Sequence, residues 1–143
     1  MTISDKDRQL LTVLSEDARM PIAVLARRLG LSRTTVQARL ERMEREGVVA
    51  GYVVRLSDSY WRNIVRAHVM IVLKEKALGG VVQALRSLPE ISAVHSVSGS
   101  VDLIAEVAAP SISDLDRTID RIGEMDGVAR TQSSVILSTR FQR

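Results

Sequence analysis

Apolar residues recur three and four positions apart in the first third of the chain, and mostly at every second position in the remainder. Leu10, Leu11 and Leu14 form one helical stripe, with Ser4 before it as N-cap and Asp7 three residues further on. A second stripe, Leu25, Ala26 and Leu29, follows Pro21, which is suited to open a helix, and precedes Gly30, which is suited to close one. Ser32 restarts the chain as an N-cap. Val36, Leu40 and Met43 then mark the inner face of a third helix that Gly47 ends. The run VVAGYVVRL, residues 48–56, predicts two short strands around Ala50 and Gly51, a small wing.

Residues 57–63, SDSYWRN, show no clear period and divide the pattern; they are expected to be a linker, with Trp61 a partly buried structural aromatic. Beyond them strand and helix signals alternate. VRAHVMIVL (65–73) reads as a strand, and Leu78, Val81, Val82 and Leu85 as a helix. ISAVHSVS and VDLIAEVAA read as two strands about a Ser-Gly-Ser turn, Ile112, Leu115, Ile119 and Ile122 as a second helix, and VARTQSSVILS as a last strand. The order βαββαβ, with weak internal similarity between residues 88–96 and 125–133, predicts a ferredoxin-like domain. The expected fold class is therefore α+β. Residues 1–56 form a winged helix-turn-helix, 57–63 a linker, and 64–143 the ferredoxin-like domain. A four-stranded sheet with both helices on one side leaves its other face bare, and a second copy of the chain is the expected cover.

Charge sharpens this division. Residues 1–63 hold 11 Lys and Arg against 8 Asp and Glu, whereas residues 64–143 hold 9 of each, so the net charge of +3 lies in the first part. Between Arg19 and Arg55 eight arginines face three glutamates, the excess expected where a polyanion binds. The turn Gly30-Leu31-Ser32 has the spacing of a helix-turn-helix. Ser32, Thr34, Thr35, Gln37 and Ala38 lie at the start and outer surface of the third helix, where small and hydrogen-bonding residues suit a major groove. Arg27, Arg28, Arg33, Arg39 and Arg42 are the candidate phosphate contacts on double-stranded DNA. The alternative is a plain solvated helix, since Glu41, Glu44 and Glu46 alternate with arginine.

The absence of cysteine excludes a disulfide framework and thiolate chemistry. No apolar h-region opens the chain, and no apolar run is of membrane-spanning length. A cytoplasmic protein without membrane association is expected. His68 and His95, the two histidines, have no ligand spacing around them for a metal. No Ser-His-Asp arrangement, P-loop or GxGxxG appears, so neither an enzyme nor a bound cofactor is expected.

The stretch LLTVLSEDARMPIAVLARRLGLSRTTVQARLERMEREGVVAGYVVRL resembles the winged helix-turn-helix of the Lrp/AsnC family of transcriptional regulators, and the βαββαβ part resembles that family's effector domain in layout. The resemblance implies a DNA-binding regulator, a homodimer formed through the second domain, often assembled into octamers or other higher oligomers, and a small effector, typically an amino acid, held between subunits. It also implies that a Gly-x-x-Asp turn lies beside that effector. Here the turn is Ser98, Gly99, Ser100, Val101 and Asp102, with Thr131 and Ser133 of the last strand near the same pocket. Val101 stands where the family usually carries an aromatic residue. Chemically, glycine lets backbone N–H groups approach a carboxylate, and an aspartate pairs with an α-ammonium group. The turn is equally ordinary hairpin chemistry. An enzyme on the same two-domain frame, similar to sirohaem decarboxylases, is the alternative function; an effector-independent oligomeric DNA-binding protein is another.

Overall fold

The computed structural model describes residues 2–142, which fall into two compact units divided between Arg55 and Leu56. The first unit is built on three helices, α1 (Asp5–Glu16), α2 (Ile22–Leu29) and α3 (Arg33–Arg45). Each starts where the sequence supplies a start signal. The Ser4 hydroxyl accepts the Asp7 N–H, and the Asp7 carboxylate accepts the Ser4 N–H at 2.9 Å, a reciprocal capping box. Pro21 precedes α2, Gly30 ends it in the left-handed conformation, and the Ser32 hydroxyl caps α3 by accepting the Thr35 N–H at 3.1 Å. The three apolar stripes close on one another: Leu10, Leu14, Leu25, Ala26, Leu29, Val36 and Met43 form a single buried cluster. Each large aliphatic side chain so buried stabilises the unit by about 1.5–3 kcal/mol.

The expected wing does not form. After Gly47, the Val48 and Val49 amides both donate to the Met43 carbonyl, at 2.8 and 3.1 Å. The residues meant for the first strand therefore cap the end of α3 and pack on its core, leaving no ladder for the second strand. Residues 50–56 have no strand pairing, and Val53 and Val54 are exposed. A lone two-stranded ribbon has little stability of its own in water, so the cap prevails. Within the segment expected to be a linker, Asp58–Trp61 is a one-turn helix, α4, capped by Ser57, too short to show a period. Trp61 meets Tyr60 edge-on and carries the Arg66 guanidinium 5.0 Å above its ring.

The second unit has strands β1 (Val65–Leu73), β2 (Ile91–Ser96), β3 (Leu103–Ala109) and β4 (Val128–Val135), with α5 (Leu78–Arg86) and α6 (Ile112–Gly123) between them. The sheet order is β2-β3-β1-β4, every neighbouring pair antiparallel, the ferredoxin-like order. Alternation fixes which side is covered. Ala67, Val69 and Ile71 of β1 and Leu103, Ala105, Val107 and Ala109 of β3 share one face and pack on Val81 and Leu85 of α5 and Leu115 and Ile122 of α6. The opposite face carries Met70, Ile104, His68, Glu106 and His95, on the side away from α5 and α6.

One glycine is indispensable to this packing. Gly127 sits at φ +94°, its carbonyl accepts the Lys74 N–H at 2.8 Å, and a Cβ there would lie 2.6 Å from the Ala77 Cβ. Gly127→Ala is expected to lower the stability of the second unit by more than ~2 kcal/mol, combining left-handed strain with the clash. Gly80→Ala, in open space on the first turn of α5, is expected to raise it by about 0.5–1 kcal/mol. Urea unfolding followed by the fluorescence of Trp61, the single tryptophan, checks both.

Candidate nucleic-acid interface and effector turn

On α3 the side chains sort by face. Arg33, Thr34, Gln37, Ala38, Glu41 and Arg45 are exposed, at spacings of one, three and four that keep them on one side of the helix. Ala38 puts a methyl group at the middle of that surface, so a partner can approach the helix backbone closely. Gln37 Nε2 donates to Glu41 Oε1 at 3.0 Å, a bond that does not use its amide oxygen. At the N-terminus the Ser32 and Thr35 hydroxyls bond each other at 2.7 Å and close the cap. The amides of Arg33 and Thr34 precede the first intrahelical bond, so the N-terminus retains donors for an anion. Arg27 and Arg28 are exposed on the last turn of α2; Arg28 meets Glu16 at 3.5 Å, a surface pair of little energetic weight.

Arg39 and Arg42 behave differently. Both turn inward onto Asp7 of α1, Arg39 Nη1 donating to Oδ1 at 2.9 Å and Arg42 Nη2 to Oδ2 at 2.7 Å. Asp7 has no exposed surface. Burial alone raises the pKa of its carboxyl, but hydrogen bonds from the Ser4 hydroxyl and amide, then from Arg42 and Arg39, outweigh that. Together they hold it well below the usual carboxylate range. The Arg42 pKa is raised by the hydrogen bond to Asp7 and by its charge. Of the five arginines expected to meet phosphate, two are thus held on a buried carboxylate. Capping spacing explained Asp7 in sequence, but no local signal ties it to residues 32 and 35 positions away. Two further contacts were also beyond the sequence reading. Lys6 Nζ donates to the Leu29 carbonyl at 2.8 Å, binding α1 to the end of α2. Tyr52 donates to Glu44 at 2.7 Å; burial, then that bond, push the Tyr52 pKa up to about 12.

In the second unit, Gly99 lies at φ +118°, a backbone that side-chain-bearing residues rarely adopt, and it turns β2 into β3. The Val97 N–H donates to the Asp102 carbonyl at 3.1 Å and closes the loop. Asp102 is bound to β1 twice: its N–H donates to the Ile71 carbonyl at 2.9 Å, and its Oδ2 accepts the Leu73 N–H at 2.8 Å. The carboxylate therefore caps the end of the β1–β3 ladder. It also borders an open cavity of about 410 Å³ lined by Leu73, Lys74, Glu75, Lys76, Ala77, Leu78 and Ser96. Ser98, Gly99, Ser100 and Val101 form the loop beside it but do not line it. Thr131 opposes Ile71 and Ser133 opposes Val69 on β4, with β1 between them and the turn; both share the helix-facing side and stand apart from the cavity. Among the described residues, no cluster of three or more His, Asp or Glu could hold a metal ion, and no helix is long and apolar enough to cross a membrane.

The same two-part division appears in comparison with known proteins. The AsnC-type helix-turn-helix domain matches residues 3–44, and the Lrp/AsnC ligand binding domain matches residues 66–143. The chain belongs to the Lrp/AsnC family. Among the relatives of this Lrp/AsnC protein, the proline dehydrogenase transcriptional activator of Rhodobacter capsulatus is 32% identical over 94% of this chain and 90% of its own length. The HTH-type transcriptional regulator LysM of Saccharolobus solfataricus is 27% identical over 97% and 96%. The structure of Escherichia coli AsnC superposes with a TM-score of 0.88 at 27% identity, covering 100% of this chain and 97% of that one. A Neisseria meningitidis transcriptional regulator in complex with L-Met has the same fold, with a TM-score of 0.89 at 23% identity over 99% and 94%. Membership assigns the chain to transcriptional regulators with a helix-turn-helix DNA-binding domain.

The Asp7 cluster gives the first unit a definite acid response. A carboxyl whose folded pKa is depressed adds stability above its unfolded value, near 4, and that contribution fades as pH falls toward the folded value. Asp7→Asn is expected to cost about 2 kcal/mol at neutral pH, the weight of hydrogen bonds to a charged group. The gap between wild type and variant should narrow steadily as pH is lowered below about 4, measured by thermal denaturation followed by circular dichroism.

Proposed function

We propose that this Lrp/AsnC protein is a sequence-specific transcriptional regulator that binds double-stranded DNA as a homodimer or higher oligomer and responds to a small amino acid. The observation that carries the reading is the outer face of α3. Thr34, Gln37 and Ala38 present hydrogen-bonding and small groups for base edges, while Arg33 and the open amides at the helix start meet phosphate. Arg27 and Arg28 extend the cationic surface from α2. Two such helices, related by a twofold axis, address half-sites one helical turn apart.

The sheet face that α5 and α6 leave uncovered supports self-association: Met70 and Ile104 sit at its centre, and His68, Glu106 and His95 form a polar row beside them. His95 Nε2 lies 3.3 Å from Glu106 Oε1. An amino-acid effector fits the turn by chemistry, since Asp102 and Glu75 border the cavity for an α-ammonium group and Lys74 and Lys76 border it for a carboxylate. The L-Met complex of the Neisseria protein is a precedent for an amino acid on this fold. An effector acts by favouring one oligomeric or conformational state, and only to the extent that it binds that state better.

DNA binding is tested by fluorescence anisotropy with the protein's own upstream DNA and with random duplex across a salt series. Tighter binding to the upstream DNA is expected. Arg33→Ala should reduce the salt slope by about one per bound helix, and Gln37→Ala should relax preference at one base position by ~1–3 kcal/mol. Equal affinity for both duplexes would overturn the specific-regulator reading. The effector is tested by calorimetry of the full chain against the common amino acids: at least one should bind, with affinity falling about tenfold or more in Asp102→Ala, as when a charge-assisted hydrogen bond is lost. Flat titrations for all of them would overturn the sensor reading.

A further inference from the structure

We propose that Asp7 sets DNA specificity from inside the first unit, by occupying the guanidinium groups of Arg39 and Arg42 as a DNA phosphate otherwise would. This inference rests on the reading of α3 as the DNA-binding helix. Asp7 is the one buried carboxylate among the described residues, and its oxygens are fully engaged: Oδ1 by Arg39, Oδ2 by Arg42 and by the amide and hydroxyl of Ser4, at 2.7–2.9 Å. Arg39 and Arg42 nevertheless lie on the flank of α3, their side chains 29% and 36% exposed, next to the surface that carries Gln37, Ala38 and Arg45. The Arg39 Nε is itself buried without a hydrogen-bond partner, so this side chain is committed to the interior even where the interior does not satisfy it.

The consequence for DNA follows from counterion release. Every cation free to meet the backbone adds sequence-independent affinity and steepens the salt dependence by about 0.9. Two arginines on a recognition helix would add two such contacts to any duplex. With one carboxylate between them, their net charge is +1 rather than +2, and their N–H groups are spent at fixed positions. Sequence-independent binding is lowered while the base-facing residues are untouched, so the ratio of specific to non-specific binding rises. Asp7 touches no DNA itself; it is a positioning residue acting through Arg39 and Arg42.

The test compares wild type, Asp7→Asn and Asp7→Glu as full chains, at a temperature where circular dichroism shows each folded, with an osmolyte added where a variant needs it. Asp7→Asn keeps the shape of the side chain and removes its charge. It is expected to bind random duplex about tenfold more tightly at 0.1 M salt, to steepen the salt slope by about one to two per bound helix, and to lose discrimination for the upstream DNA. Asp7→Glu retains the charge in a poorer seat. It should lose stability while keeping the wild-type slope on random duplex. A folded Asp7→Asn protein whose slope and random-duplex affinity equal or fall below wild type would overturn the inference and leave Asp7 a purely structural cap. Wild type failing to bind any duplex would overturn the DNA-binding reading and this inference with it.

Discussion

A carboxylate with no exposed surface must be surrounded by donors, and in this protein that requirement organises the first unit. Leaving Asp7 uncompensated would cost several kcal/mol, so α1 and α3 must meet with the two arginines at its oxygens. The apolar cluster of Leu10, Leu25, Val36 and Met43 supplies the greater share of stability but is tolerant of small rotations. The ion cluster is not tolerant of them, because hydrogen bonds weaken steeply with misalignment. Together they fix the azimuth of α3, and so decide that Thr34, Gln37 and Ala38 face outward.

A similar device appears in the second unit. Asp102 leaves a turn and returns its carboxylate to the backbone of β1, as Asp7 returns its own to the start of α1. In each case a charged group placed next to a proposed functional surface has a structural task that can be described without any ligand. For Asp102 the structural role and the proposed one are compatible: one oxygen holds the Leu73 amide, and the residue also borders the cavity beside Lys74, Glu75 and Lys76. Substitution there would disturb the strand end as well as any ligand, so binding has to be judged alongside stability.

Much of the fold was legible because its signals are local. Ser4, Gly30 and Ser32 announce helix ends through their own backbone and side-chain chemistry, and the alternation in residues 65–73 and 103–109 identifies the buried side of two strands. The misreadings arose where a local signal met competition from another element. Val48 and Val49 have the composition of a strand, but their amides are taken by the end of α3. Asp7 was legible as a cap and illegible as a partner of Arg39 and Arg42, because periodicity reports which face a residue occupies and says nothing of what lies opposite. The proposed site shares this limit. The turn at Gly99 could be read from its residue types, whereas the separation of Thr131 and Ser133 from it follows from strand order, with β1 inserted between β3 and β4.

The central claim is that the outer face of α3 reads DNA while the Asp102 turn belongs to a separate response. Hydrogen–deuterium exchange of the full chain, with and without its upstream duplex, tests it most directly. The account predicts that DNA slows exchange in residues 32–38 and leaves residues 97–103 unchanged, and that an amino acid found to bind by calorimetry slows exchange at 97–103. Protection by DNA at 97–103 with none at 32–38 would contradict it.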